Sequence, residues 1–253
     1  MTRVAIIEAD TPIPAVVSEL GTYGTIFTNL LVAAGLSQET TQYSVHHVVK
    51  HPENLPNLED PADPLDAVLI SGSRHNSYED IEWINQLAAF VNAALAKGVR
   101  VVGICFGHQV VARALGAKVG VNPKGWEIAA VPITLTEKGQ EVFAELADTA
   151  AAADGTINIM QMHRDIVFEV PEGTELLAYT DVCRVQGFYK RGAIWTVQGH
   201  PEFTDFIETS LITLRRDAGA IDPEFAADGL KRAHDRNDGP AIAKSIARFI
   251  RDE

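Results

Sequence analysis

The sequence predicts an α/β protein with an open, mostly parallel sheet, helices on both faces in a three-layer arrangement, and a small antiparallel extension. Two observations lead to this fold class. Through residues 1–116, short apolar runs alternate with longer helical segments, as they do in strand–helix–strand units. Residues 117–200 instead contain several short β-like runs, and we expect some of these to form the antiparallel extension.

The first part of the chain supplies the first parallel strands. Apolar residues 4–7 predict a buried strand almost at the N-terminus. After the break at residues 10–14, a helical stretch is predicted to run to about residue 34 and to end at Gly35. A second strand is predicted over residues 43–49, and the proline-rich, acidic residues 51–64 predict a loop.

Two further strand–helix pairs follow. Residues 67–70 predict a third strand that ends in the Ser-Gly-Ser turn at 71–73. Apolar residues at helical spacing predict a helix over 79–97, which Gly98 ends. A fourth strand is predicted over 100–104, and the helical residues 106–115 after it end at Gly116.

The rest of the chain is first β-like and then helical. The β-like runs cover residues 128–135, 156–160, 175–179, 184–189 and 193–198. From Phe203 onwards the pattern is helical, and residues 240–250 predict a final amphipathic helix. The alanine-rich run 150–155 predicts the end of a helix rather than a linker.

Composition and charge argue against several classes of function. The chain of 253 residues has a formal net charge of −13, and a surface this acidic repels nucleic-acid phosphates and anionic lipid head groups. We therefore expect no nucleic-acid and no membrane partner. Two cysteines cannot form a disulfide framework, and the apolar run at the N-terminus is too short for a signal peptide. No stretch approaches the ~18 apolar residues of a membrane span, so the sequence predicts a cytoplasmic protein.

The strongest functional signal is the segment 103–109, which reads GICFGHQ. An apolar strand runs directly into Cys105 and a helix runs out of it, so we expect the thiol above the carboxyl ends of the strands, where ligands bind in open α/β sheets. Gly103 and Gly107 permit a tight turn and a close approach of helix and strand. The backbone N–H of Phe106, at the helix N-terminus, can stabilise an oxyanion. The pattern predicts a cysteine nucleophile, and the alternative is a buried, inert cysteine.

A second segment, residues 195–203, reads WTVQGHPEF and supplies a base for that nucleophile. A cysteine nucleophile needs a general base, and the base needs an orienting group. His200 can act as the base. Glu202 can turn back to the far imidazole nitrogen if Pro201 fixes the turn. The alternative for His200 alone is a histidine in a solvated loop or at a helix cap. The alternative for Glu202 alone is an acidic residue in the first turn of a helix, where the helix dipole favours it.

The same residue types allow one alternative that involves a metal. A zinc site can be drawn from Cys105, His108, His163 and His200. The cysteine turn and the Pro-Glu pair call for no metal and no cofactor, so we expect neither. We interpret His108 and Cys183 as structural residues.

Together the two segments resemble the class I glutamine amidotransferases. The resemblance rests on the cysteine turn at 103–109 and on His200-Pro201-Glu202, and it extends from the first strand to about residue 205. It implies a flavodoxin-like fold and one amidotransferase-like domain over residues 1–253, with a C-terminal helical segment at about 204–253. It also implies that Cys105 attacks the side-chain amide of glutamine, that ammonia leaves, and that water hydrolyses the γ-glutamyl thioester.

The resemblance extends to an oxyanion hole and a substrate site. It implies that a backbone amide of Gly72 or Ser73 faces the oxyanion together with that of Phe106. The alternative for this segment is a simple turn at the end of a strand.

Further matches imply contacts with the substrate. The resemblance assigns a contact to Gln109, and in the segment QMHRD at 161–165 it assigns His163 and Asp165 to the α-amino and α-carboxylate groups. The alternatives are a polar residue in the first turn of a helix and an ordinary polar loop. The pair Trp126-Glu127 matches another family segment with low specificity.

Two features separate the chain from family members that pass ammonia to a synthetase. No P-loop-like nucleotide motif is present, so we expect that the chain is not a complete ammonia-using synthetase. Gly199 occupies a position where many members have an aromatic residue, and its surroundings are similar to stand-alone members that cleave γ-glutamyl peptides, including glutathione conjugates. We expect a glycine there to leave room for a leaving group larger than ammonia.

Three functions stay open on this basis. The first is a stand-alone γ-glutamyl hydrolase or peptidase with a small-molecule substrate. The second is a glutaminase subunit that supplies ammonia to a separate synthetase partner. The third is a non-catalytic regulatory protein that retains the fold, and the intact set Cys105, His200 and Glu202 argues against it. The sequence does not indicate an oligomeric state.

Overall fold

The computed structural model describes residues 1–60, 64–144 and 155–252. Its strands are β1 (Thr2–Glu8), β2 (Thr41–His47), β3 (Ala67–Ile70), β4 (Arg100–Ile104), β5 (Val119–Val121), β6 (Glu127–Leu135), β7 (Thr156–His163), β8 (Asp165–Val167), β9 (Glu175–Tyr179), β10 (Gly187–Lys190) and β11 (Ile194–Val197). Its α-helices are α1 (Pro14–Leu20), α2 (Tyr23–Ala33), α3 (Glu82–Ala96), α4 (Phe106–Ala114), α5 (Glu137–Val142), α6 (Asp205–Asp217), α7 (Pro223–Arg232) and α8 (Gly239–Arg251).

Nine strands form one mixed sheet in the order β2-β1-β3-β4-β11-β10-β9-β6-β7. The first five strands in this order are parallel to one another. From β11 onwards each strand is antiparallel to its neighbour. The strands β5 and β8 form a separate antiparallel pair. This arrangement confirms the predicted fold class, including the antiparallel extension.

Strand β1 shows how alternating side chains create two cores. Val4 and Ile6 point into the core on one face, which α2 and α8 cover, whereas Ala5 and Ile7 point into the core that α3 and α4 cover. A strand buried on both faces has no polar side, which explains its continuous apolar run. Each fully buried aliphatic side chain stabilises the fold by roughly 1.5–3 kcal/mol.

The predicted element positions agree with the structure in most places and differ in a few. The prediction of one helical stretch to residue 34 is wrong, because Gly21 adopts a φ of 84° and separates α1 from α2. The helix predicted over residues 79–97 begins at Glu82 rather than at residue 79. The alanine-rich run at 150–155 lies almost entirely outside the described residues, as do residues 61–63 of the predicted loop. No helix among the described residues has the length and apolar character that crossing a membrane requires.

Candidate active site

Cys105 occupies a strained turn between β4 and α4. Its φ of 51° and ψ of −102° lie in a region that non-glycine residues rarely adopt, at a cost of roughly 1–3 kcal/mol. Two glycines allow this turn. A Cβ on Gly107 would lie 2.3 Å from the carbonyl oxygen of Ile70, and one on Gly103 would lie 2.7 Å from the carbonyl carbon of Gly107. The prediction of a close helix–strand approach at these two glycines is therefore confirmed.

The register of the sheet brings the second segment to the same point. Strand β11 lies parallel to β4, with Val197 level with Ile104, so the residues that follow the two strands meet at one edge. His200 comes three residues after β11, and its Nδ1 lies 2.8 Å from Oε1 of Glu202. The ring of Phe203 stacks on the imidazole at 3.9 Å between centroids. The imidazole is therefore held on one face by a ring and at Nδ1 by a carboxylate.

Opposing effects determine the charge of His200. Burial lowers its pKa, but the negative charges of Glu202 and Cys105 and the hydrogen bonds to both side chains raise the pKa well above its ordinary value. The net effect favours an imidazolium between a carboxylate and a sulfur. A protonated His200 would stabilise a negatively charged Cys105 by direct Coulomb attraction.

The turn after β3 lies against the side chains of both His200 and Cys105. A Cβ on Gly72 would lie 2.8 Å from Cε1 of His200 and 3.7 Å from Cβ of Cys105, so only a glycine fits between them. Ser71 donates a hydrogen bond of 2.9 Å from its hydroxyl to the carbonyl of Gly72. Because a trans peptide directs its C=O and N–H in opposite directions, this bond also orients the N–H of Ser73. Among the described residues, no acceptor is bonded to the N–H of Ser73 or of Phe106.

The three predicted substrate residues lie together, but they differ in what they offer to a ligand. The side-chain amide of Gln109 donates to the carbonyl of Asp165 at 3.0 Å and to Gln198 at 3.1 Å, so both of its hydrogens are engaged within the protein. Nδ1 of His163 lies 3.2 Å from the same carbonyl. Nε2 of His163 lies 3.1 Å from Oε2 of Glu127, outside hydrogen-bond geometry.

Asp165 offers a carboxylate, and its Oδ1 lies 3.6 Å from Nε of Arg164, within ion-pair distance. Its Oδ1 is buried and accepts no hydrogen bond among the described residues. Burial raises the pKa of Asp165, while Arg164 acts to lower it. Its side chain lines a cavity of about 190 Å³ next to Cys105.

Two cavities have Cys105 in their linings. The first, of about 190 Å³, is lined by Gln109, His163 and Asp165. The second, of about 130 Å³, is lined by His200 and by apolar residues from the N-terminal loop and α6. Ser73 and Cys105 line both cavities. We refer to them below as the first lobe and the second lobe.

Two buried residues near the site are structural. Burial lowers the pKa of His108 to about 3, so its ring is neutral, and its Nδ1 lies 2.9 Å from the hydroxyl of Thr196. Burial raises the pKa of the Cys183 thiol, which donates to the carbonyl of Val185. Both residues pack and bond as the sequence interpretation expects.

One buried group has the residue types of a metal site. Single ligand atoms of Glu127, His163 and Cys183 lie within 4.8 Å of one another. The carboxylate of Glu127 already accepts bonds from Thr180 at 2.8 Å and from Gln186 at 2.9 Å. These bonds satisfy the carboxylate without an ion, and the group differs from the zinc quartet that the sequence allows.

The structure corrects the steric argument about Gly199. A Cβ at this position would lie 2.9 Å from three side-chain carbons of Ile159, in the buried core beneath the sheet. Ile159 lines neither lobe. The expectation that Gly199 leaves room for a larger leaving group is therefore wrong, because the space next to its Cα is already filled by the core.

Two further polar side chains near the site carry no local sequence signal. Arg215 on α6 lines both lobes. Glu208, one helical turn after the start of α6, is fully buried and accepts a bond of 2.9 Å from the N–H of Ala129. Both lie in a segment without recognisable motifs, and only the packing of α6 against the sheet brings them near His200.

A strained cysteine at a strand–helix turn, beside a buried histidine–carboxylate pair, is the arrangement typical of hydrolases that use a cysteine nucleophile. Comparison with known proteins identifies the family. The model of the class I glutamine amidotransferases matches residues 23–212, and the chain belongs to this family. The resemblance inferred from the two sequence segments is thus confirmed.

Individual relatives and a solved structure agree with this assignment. The chain is 35% identical over 254 residues to a glutamine amidotransferase-like protein of Schizosaccharomyces pombe, with 98% of each chain covered. It is 31% identical to γ-glutamyl peptidase 3 of Arabidopsis thaliana, covering 81% of this chain and 80% of that one. A shorter match, 34% over 113 residues, relates it to a glutamine-hydrolysing GMP synthase subunit of Methanocaldococcus jannaschii and covers 44% and 55% of the two chains. A glutamine amidotransferase from Thermotoga maritima, 20% identical, shares the fold with a TM-score of 0.71 over 98% of both chains.

Proposed function

We propose that the protein hydrolyses γ-glutamyl amide bonds in small peptides such as glutathione or its conjugates, through a γ-glutamyl thioester on Cys105. The observation that carries this proposal is the position of His200, which is buried between Glu202 and Cys105 and has a raised pKa. The family assignment and the similarity to a γ-glutamyl peptidase support the substrate class. In this proposal Cys105, His200 and Glu202 form the catalytic triad.

In the first half of the proposed reaction, the sulfur of Cys105 attacks the γ-carbonyl carbon of the substrate. The carbonyl oxygen becomes negative and accepts hydrogen bonds from the N–H groups of Phe106 and Ser73. Because Gly72 has no side chain, the turn that carries the Ser73 N–H can lie close to Cys105 and His200. Each such donor contributes roughly 10²–10³-fold to the rate in comparable enzymes. When the intermediate collapses, the C–N bond breaks and His200 gives its proton to the departing nitrogen.

In the second half, water replaces the amine. His200, now neutral, takes a proton from the water as the water oxygen attacks the thioester carbon. The C–S bond then breaks, free glutamate leaves, and the sulfur and imidazolium return to their starting forms. Glu202 holds the ring in one orientation and stabilises its positive charge throughout.

The first lobe would hold the glutamyl part of the substrate. The carboxylate of Asp165 would pair with the α-ammonium group, because its Oδ1 accepts no hydrogen bond within the described residues and its ion pair with Arg164 is long, at 3.6 Å. Gln109 and His163 both bond the backbone carbonyl of Asp165, so we assign them a positioning role. The α-carboxylate would lie near Arg164, which lines only this lobe.

A glutaminase subunit that supplies ammonia to a synthetase partner is the second candidate. The match to a GMP synthase subunit favours it. Its chemistry on Cys105 is the same, with ammonia as the leaving group. This candidate predicts weak glutaminase activity for the isolated chain and higher glutaminase activity when the synthetase partner is added.

Glutamate release separates these functions. We would offer the purified chain glutamine and glutathione in parallel and compare it with a Cys105→Ala variant. We expect release from glutathione to exceed release from glutamine and to vanish in the variant. Release from glutamine alone would favour the ammonia-supplying glutaminase. Absence of release from both would refute the proposed substrate class and favour the regulatory alternative.

A further inference from the structure

The second lobe has the chemistry of a leaving-group site, an inference that rests on the proposed function. His200 must protonate the departing nitrogen, so the leaving group must lie on the side of Cys105 that His200 lines. His200 lines the second lobe and not the first, whereas Gln109 and Asp165 line the first and not the second. The scissile bond would therefore cross from one lobe to the other above the sulfur.

The size of the second lobe exceeds what ammonia needs. Its volume is about 130 Å³, several times the roughly 10–15 Å³ that a cavity needs to hold one water molecule. A leaving group of the size of an amino acid would use this space. Ammonia would leave most of it filled with water.

Asp10, Thr11 and Arg74 are among the polar residues of the second lobe, but apolar side chains make up about half of its walls. Ile13 from the N-terminal loop, Phe203 after the triad and Leu211 and Leu214 on α6 contribute to them. Leu214, which lines the same cavity as Cys105, is 48% exposed. A ligand with an apolar side chain would remove this surface from water, which is favourable in proportion to the area covered.

Two arginines line the second lobe. Among the described residues, one of them is paired with a carboxylate and the other is not. Arg74 is held by the carboxylate of Asp10 through bonds of 2.8–3.0 Å, and this pairing raises the pKa of the guanidinium. For Arg215, no carboxylate among the described residues forms an ion pair, and its buried Nε has no hydrogen-bond partner there. Its guanidinium lies 6.0 Å from the ring of Trp126.

Arginine with unused donors is the side chain best suited to bind a carboxylate. Leu214 and Arg215 lie three and four positions after Leu211 on α6, so both are neighbours of Leu211 on the helix surface, and all three line the second lobe. An apolar surface and a cation are thus presented side by side to the second lobe. An α-amino acid with an apolar side chain matches this pair, since its side chain and carboxylate branch from the same carbon.

From this arrangement we infer that the second lobe binds an amino-acid leaving group with an apolar side chain and that Arg215 binds its carboxylate. The preferred substrates are then γ-glutamyl dipeptides of the type γ-glutamyl-leucine. Arg215 sets specificity for the leaving group and takes no part in the chemical step.

The test compares three substrates that share the glutamyl part. These are γ-glutamyl-leucine, γ-glutamyl-isoamylamide, which lacks only the leucine carboxylate, and glutamine. For the unmodified protein we expect kcat/KM to be at least about tenfold higher for γ-glutamyl-leucine than for glutamine. Arg215→Gln should lower kcat/KM about tenfold or more for γ-glutamyl-leucine and less than about threefold for the other two.

Two further variants separate the contributions to binding. Arg216→Gln is the matched control, because Arg216 is paired with Asp217 and lines neither lobe. It should leave all three values unchanged. Leu214→Asn should weaken turnover of γ-glutamyl-leucine and of the isoamylamide alike, and leave glutamine unaffected.

The outcomes distinguish this inference from the proposed function beneath it. An equal loss on all three substrates in Arg215→Gln would overturn the inference, since Arg215 would then act on the glutamyl part. Faster turnover of glutamine than of γ-glutamyl-leucine, still dependent on Cys105, would overturn the inference and leave the thioester chemistry standing. If Cys105-dependent release is absent for these three substrates and for glutathione, the proposed function fails and the inference fails with it. Release from glutathione alone would overturn the inference and leave the proposed function standing.

Discussion

Replacing Gly72 by alanine tests the geometry of the proposed triad directly. The new Cβ would lie 2.8 Å from Cε1 of His200, whereas ordinary contacts of a Cβ begin at 3.4 Å, so the two atoms must separate by at least 0.6 Å, the difference between these distances. The imidazole cannot easily yield. It is buried, stacked on Phe203 at 3.9 Å and bonded to Glu202 at 2.8 Å. A misplacement approaching 1 Å at a reacting group costs roughly 10²-fold in rate, and we expect a loss of that order in kcat/KM.

Two assays separate a displaced histidine from an unfolded protein. Glutamate release gives kcat/KM, and the rate of alkylation by iodoacetamide reports how well His200 stabilises the sulfur of Cys105. The second cysteine, Cys183, is fully buried and its thiol pKa is raised, so it should not interfere in the folded protein. Both rates should fall when they are measured at a temperature where the melting curve of the variant shows it to be folded.

A matched control makes the same substitution elsewhere. In Gly120→Ala the new Cβ meets the edge of the Phe168 ring at 3.3 Å, and Phe168, which is 38% exposed, can shift towards solvent. This variant should keep both rates. Full activity and normal alkylation in Gly72→Ala would refute the close packing of Gly72 against His200 on which the proposed triad geometry rests.

Three further predictions concern stability. Gly107→Ala should lower the free energy of unfolding by at least about 3 kcal/mol, since its Cβ would lie 2.3 Å from the backbone oxygen of Ile70; an unchanged denaturation midpoint would contradict this. Burial raises the pKa of Glu208 to about 7. The folded state therefore binds more protons than the unfolded state between about pH 4.5 and 7. The free energy of unfolding should fall as pH rises through this window, by up to roughly 3 kcal/mol. Glu208→Gln should flatten that dependence in denaturant titrations, and an equally steep curve would exclude Glu208 as its source. Gly199→Ala should lower the melting temperature, because its Cβ meets Ile159 at 2.9 Å. The ratio of kcat/KM for glutathione to kcat/KM for glutamine should stay the same in this variant. A changed ratio would restore the steric role first expected of Gly199.

Much of the fold was predictable because its signals are local. The third and fourth strands were placed correctly at Ala67–Ile70 and Arg100–Ile104, since a continuous apolar run is the mark of a strand buried on both faces. The turn around Cys105 was predictable for a similar reason. Its tight geometry requires glycine on either side, and that requirement is visible in the sequence.

Other features were missed because they depend on conformations or contacts that local patterns do not specify. The break between α1 and α2 depends on the φ of Gly21, and a glycine inside a helical pattern is compatible with either outcome. The strands β5 and β8 are only three residues long and exist through their mutual pairing. Neither segment has a periodicity that can be recognised alone.

The candidate active site also combines features that the sequence determines with features that only the tertiary structure determines. By itself the sequence determined the residue types of the proposed chemistry, with Cys105 in a strand–helix turn and Glu202 two residues after His200. Only the tertiary structure decided which atoms meet, because side-chain contacts between distant segments follow from sheet register and helix packing. It decided that Gly199 faces Ile159, that Gln109 and His163 bond the backbone of Asp165, and that α6 brings Arg215 to the second lobe.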